Sequence, residues 1–140
     1  MKYLKCLTAI CFLIFAAEIF GCQRGPKRPD DLPKLTPCTV SVTFGGKTME
    51  GVAVFLTPEN NELNKWGAAG KTDANGKAKL TTSFAFEGVV PGKYIISFKK
   101  WGESTNMNQP PSLIPKKYTQ GQSKETITVT KEQREYSFEL

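Results

Sequence analysis

From Cys38 to the C-terminus the apolar residues recur at every second position, a period that suits strands and not helices. Cys38, Val40, Val42 and Phe44 alternate with Thr39, Ser41 and Thr43, so an extended chain there has one apolar face and one polar face. A Gly45-Gly46 turn signal and the stretch Lys47-Thr48-Met49-Glu50-Gly51 separate this run from Val52-Ala53-Val54-Phe55-Leu56, which reads as a second strand. Ala78, Leu80 and Thr82 then alternate with Lys79 and Thr81, and Pro91-Gly92 opens the longest run, Lys93 to Lys100, with Tyr94, Ile96 and Phe98 on one face. Two closing strands are expected near Glu125 to Thr130 and Glu135 to Leu140, carried by Ile127 and Val129 and by Tyr136, Phe138 and Leu140. The strongest turn signal is Thr72-Asp73-Ala74-Asn75-Gly76-Lys77, since Asn and Gly tolerate the positive φ that tight turns demand. Short strands with turns at these intervals predict an all-β fold, an antiparallel β-sandwich.

Ahead of the strands lies a different kind of sequence. Met1, Lys2 and Lys5 give a positive start, and an apolar run from Cys6 to Phe20 follows, the layout of a secretory signal peptide. Glu18 interrupts that run before it reaches the roughly 20 apolar residues a spanning helix needs. The run ends in Ile19-Phe20-Gly21-Cys22, which resembles the bacterial lipoprotein signal of an aliphatic residue, a variable one, a small one and the acylated cysteine. The resemblance implies that residues 1–21 are removed and that Cys22 is the lipid attachment site. Beyond it, residues 22–37 carry Pro26, Pro29, Pro33 and Pro37 at nearly even spacing. Proline at that density favours an extended tether of roughly 3 Å per residue, on the order of 40 Å in all. Its only large apolar residues are Leu32 and Leu35, so it is expected to stand free of the domain at 38–140.

Composition narrows the functional classes. Losing 21 of 140 residues leaves 119, enough for one core and too few for two. Removing Lys2, Lys5 and Glu18 takes the 19 basic and 13 acidic residues to 17 and 12, a net charge of about +5 spread along the chain. A spread of this kind reads as solvated surface, and an exported domain has no nucleic acid to meet. Cys6 and Cys11 leave with the signal and Cys22 carries lipid, so Cys38 alone remains and no internal disulfide can form. Cys38 is expected to be a small buried residue at the start of the first strand.

The recurring phrases resemble the carboxypeptidase-regulatory-like (transthyretin-like) domain. Gly46-Lys47-Thr48-Met49-Glu50-Gly51-Val52-Ala53-Val54 is similar to the family's opening hairpin, Thr72-Asp73-Ala74-Asn75-Gly76-Lys77 to its Thr-Asp-x-x-Gly turn, and Val90-Pro91-Gly92-Lys93-Tyr94 to its Pro-Gly-x-Tyr strand entry. The stretch from Ile114-Pro115-Lys116-Lys117-Tyr118 through Ile127 to Phe138-Glu139-Leu140 resembles the tail of small bacterial lipoproteins that carry this domain alone. Val40 and Thr48 stand where the family usually has glycine and proline, and both suit a strand. The resemblance covers the chain beyond Cys38 and implies a seven-stranded transthyretin-like or immunoglobulin-like sandwich, a fold that does not by itself specify an activity.

Little in the sequence supports catalysis. The chain has no histidine, which removes the commonest general base and the commonest metal ligand. One remaining thiol cannot make a zinc site. Asp73-Ala74-Asn75-Gly76 opens like a calcium loop, but Lys77 and Phe84 fall where such a loop needs acidic ligands. No Gly-x-Ser-x-Gly elbow and no phosphate-cradling glycine loop occurs, so no cofactor is expected. Trp66 and Trp101 fall at loops or strand ends, where an indole either plugs the end of a sandwich or stacks on a ligand. Lys99, Lys100 and Trp101, at the mouth of the long polar loop to Lys117, form the expected ligand surface. The expectation is a membrane-anchored, non-enzymatic envelope module that contacts protein or glycan. The alternatives are an architectural lipoprotein without a specific ligand and a small hydrolase with a carboxylate pair.

Overall fold

The structure is a computed structural model, and it describes residues 25–61, 65–100 and 112–140. It is all-β, with two sheets and, among the described residues, one 3-10 turn at Lys116–Tyr118 and no α-helix. The strands in chain order are β1 (Thr39–Phe44), β2 (Lys47–Thr48), β3 (Ala53–Pro58), β4 (Ala68–Lys71), β5 (Lys77–Lys79), β6 (Thr81–Thr82), β7 (Phe86–Glu87), β8 (Gly92–Lys99), β9 (Thr126–Val129) and β10 (Glu135–Glu139). The first sheet is built on β1, which pairs with β10 on one side and with β2 and β5 on the other. The second runs β7-β6-β4-β3-β8-β9.

Alternation decides which residues lie between the sheets. Val40 and Val42 of β1, Val54 and Leu56 of β3, and Tyr94, Ile96 and Phe98 of β8 are each 2% exposed or less and belong to one apolar cluster. Each such side chain contributes roughly 1.5–3 kcal/mol by leaving water. Phe98 meets the ring of Tyr118 edge-on at 6.5 Å and that of Phe138 at 5.6 Å, so the last strand and the 3-10 turn close on the same cluster. Tyr94 is fully buried and donates its hydroxyl to the Val90 carbonyl at 2.6 Å. Cys38 is 3% exposed, as its sequence position suggests, and burial pushes its thiol from 9.0 up to about 11.

The turn at Thr72–Lys77 has a defined chemistry. Asp73 accepts the backbone N–H groups of Asn75 and Lys77 on Oδ1 at 2.8 and 3.0 Å, and Gly76 takes φ +71°. Thr72 fixes the next loop, accepting the Val52 N–H at 2.8 Å and donating to the Met49 carbonyl at 2.6 Å.

Four features differ from the sequence reading. The run Ala78–Thr82 is two strands, because the chain crosses from the first sheet to the second at Leu80, which stays 1% exposed throughout. Among the described residues the strands number ten, three of them only two residues long. Pairing is not wholly antiparallel: β10 runs parallel to β1, from Thr39↔Glu135 to Thr43↔Glu139. A hairpin forces antiparallel neighbours, but β10 reaches β1 by crossing between sheets, which leaves its direction free. The fourth difference is the tether, whose distal part packs on the domain instead of standing free. Leu32 is 6% exposed, Thr36 and Val89 exchange both backbone hydrogen bonds at 2.8 Å, and Asp31 pairs with Lys65. Arg28 ties this segment to itself through the carbonyls of Leu32 and Pro33, at 3.2 and 2.7 Å. One leucine is enough because the backbone supplies the rest, extending the pairing of the short edge next to β7.

Candidate functional site

The residues expected to meet a ligand fall on either side of what the structure describes. Cys22 and Trp101 lie outside the described residues. Lys99 ends β8 opposite Ala53 and is half-buried. Lys100 donates its ammonium to the Glu50 carbonyl at 2.5 Å, and its own carbonyl accepts the Leu113 N–H at 3.0 Å. This ammonium therefore holds the β2–β3 connection to the end of β8. Trp66 sits two residues ahead of β4, half-buried, with the Lys65 ammonium 5.1 Å from its ring centroid.

The outer face of the second sheet presents a more developed surface. Because Val54 and Leu56 point into the core, Phe55 and Thr57 point outward. The register sets Thr81, Ala69 and Phe55 side by side across three strands, while Ser97, which continues the row on β8, is 3% exposed. Here lies a groove of about 300 Å³, lined by Phe55, Ala69 and Thr81 together with Ser83, Phe84 and Gln120. Thr57 and Thr81 add hydroxyls along its length, and Thr81 donates to the Ala69 carbonyl at 3.2 Å. No charged side chain lines it among the described residues.

Phe84 is the unusual member. It is 84% exposed, more than any other large apolar side chain described. It follows Ser83 in a turn closed by the Ala85 N–H on the Thr82 carbonyl at 3.2 Å, and the two residues have φ of 57° and 52°. A side chain in this left-handed region costs about 1–2 kcal/mol, which is why Asn-Gly usually fills such turns. Neither Phe84 nor Phe55 stands out in the sequence, since Thr82-Ser83-Phe84-Ala85 contains no glycine, asparagine or proline to signal a turn.

A second cleft, of about 450 Å³, brings Asp73 and Glu135 together with Lys71, Lys77 and Lys79. Two carboxylates in one cleft are what an acid–base hydrolase needs, but their surroundings oppose that use. Both are exposed, Asp73 is spent on the turn's backbone N–H groups, and the Lys77 ammonium stands 3.9 Å from Glu135. Among the described residues no group of three or more Cys, Asp or Glu side chains could hold a metal ion. No family model, curated protein or solved structure matches the chain.

Proposed function

We propose that the chain is a lipid-anchored, non-enzymatic module of the bacterial cell envelope, acylated at Cys22, that presents a transthyretin-like β-sandwich for contact with protein or glycan. The observation that carries this reading is Ile19-Phe20-Gly21-Cys22, placed after a cationic start and an apolar run and before an abruptly polar, proline-rich segment. Several acyl chains at about 0.8 kcal/mol per buried methylene hold a protein on a bilayer, where one chain binds only marginally. The fold supports the reading at the coarser level of an all-β chain whose two sheets share one core.

Docking of the distal tether changes the geometry of the anchor. With Asp31, Leu32 and Thr36 held on the domain, only Gln23–Asp30 separates the acylated cysteine from the fold, a reach of roughly 25 Å at about 3 Å per residue. The module thus works close to the membrane. Fractionation of cells expressing the full chain tests the anchor: the wild type should sediment with membranes, and Cys22→Ser should appear in the soluble fraction or accumulate as precursor. Membrane association unchanged by Cys22→Ser would remove the anchor from the account.

A further inference from the structure

We infer that the groove on the outer face of the second sheet binds a neutral oligosaccharide, with the ring of Phe84 as its stacking platform. The envelope reading above supplies the place where such a ligand is met; the groove itself is argued from its own residues. Ser83 and Phe84 hold left-handed backbone where glycine or asparagine would be cheaper, and the result is a phenyl ring left in solvent at the rim of the groove. Strain kept at an exposed aromatic points to a use for the ring in that position.

The lining selects the ligand class. Phe55 and Ala69 offer apolar surface, while Thr57, Ser83 and Gln120 offer hydroxyls and an amide that donate and accept, and Thr81, its proton given to the Ala69 carbonyl, accepts. A pyranose ring has the complementary surface: an apolar C–H face, a rim of hydroxyl groups and no charge. Absence of charge is informative in a chain with 19 basic residues, because an acidic ligand would be met by ammonium groups, and among the described residues the groove has none. A peptide would add to a sheet edge, but the edge beside the groove is β7, two residues long. A lipid surface would call for an unbroken apolar patch, and the hydroxyls interrupt this one. At about 300 Å³ the groove lies at the small end of ligand sites.

Calorimetric titration of the chain as purified from its host, in detergent micelles, tests the inference, with N-acetylchitohexaose and cellohexaose as probes. At least one should bind saturably, with Kd on the order of 10⁻⁴ M. Phe84→Gly should weaken that binding at least about tenfold and leave Tm unchanged or raised, because glycine relieves the left-handed φ. Ser83→Gly, which keeps the ring, should raise Tm with binding retained. Binding of neither sugar at millimolar concentration, or equal binding by wild type and Phe84→Gly, overturns the inference. So does a fall in Tm on Phe84→Gly, which would make the ring a packing element. Failure of the anchor reading shows separately, in the fractionation of Cys22→Ser, and leaves the titration intact.

Discussion

Replacing Gly76 by alanine is expected to cost about 2–4 kcal/mol, and the same change at Gly46 only about 1–2 kcal/mol. Both glycines have left-handed backbone, φ +71° and +76°, so both substitutions carry the same conformational penalty. They differ in what the new methyl meets. At Gly46 nothing lies within 4 Å, whereas at Gly76 the added Cβ would fall 2.8 Å from the Val42 carbonyl oxygen and 3.0 Å from Thr48 Cβ. Neither side can yield freely: the Val42 carbonyl accepts the Met49 N–H at 3.1 Å, and the Val42 N–H is donated to the Gly76 carbonyl at 2.8 Å. Relieving the clash therefore breaks one or both hydrogen bonds, each worth about 1 kcal/mol. At roughly 4 °C per kcal/mol, Tm should fall on the order of 10 °C for Gly76→Ala and about 5 °C for Gly46→Ala. Thermal unfolding of the full chain followed by circular dichroism reads both. Equal losses at the two positions would refute the argument, because then the contact of the Thr72–Lys77 turn with β1 contributes nothing.

Two further outcomes follow from buried groups. The unfolded Cys38 thiol gives up its proton near 9.0 while the folded one keeps it to about 11, so between these values the folded chain binds the extra proton and stability falls as pH rises. Urea titrations should show an extra loss of about 2 kcal/mol by pH 11 that Cys38→Ala lacks, and a thiol reagent at neutral pH should label Cys38 only on unfolding. Leu32→Ala should cost on the order of 2 kcal/mol and, in hydrogen-exchange measurements, deprotect the Thr36 and Val89 amides. A change below about 0.5 kcal/mol with both amides still protected would mean that the tether is held by its backbone alone.

The core was legible because its rule is simple. Val40 and Val42, and Tyr94, Ile96 and Phe98, stand at every second position of their strands, and each is fully buried. What the alternation does not encode is which sheet a strand joins. Ala78 and Thr82 keep one period across Leu80, yet they belong to different sheets, and no residue between them marks the crossing. The parallel placement of β10 escapes the pattern for the same reason, since period two is blind to direction. Leu32 looked too isolated to dock because its backbone partners, Thr36 and Val89, lie 53 residues apart and no local pattern links them. The groove was the least legible part. Its floor comes from the outward positions of β3, β4 and β6, and its rim from a turn built without turn residues, so it exists only once the register is known. Lys100 adds a contact that its sequence position does not reveal, since its ammonium meets the Glu50 carbonyl, 50 residues away.

Intact-mass spectrometry of the full chain, expressed in a bacterial host and purified from its membranes, tests the central claim most directly. The claim requires a polypeptide beginning at Cys22 whose mass exceeds that of residues 22–140 by a diacylglycerol group, with a further acyl chain where the amine is modified, and it requires Cys22→Ser to lose that increment. An unmodified chain of precursor length, or one cleaved at another position and carrying no lipid, would contradict it.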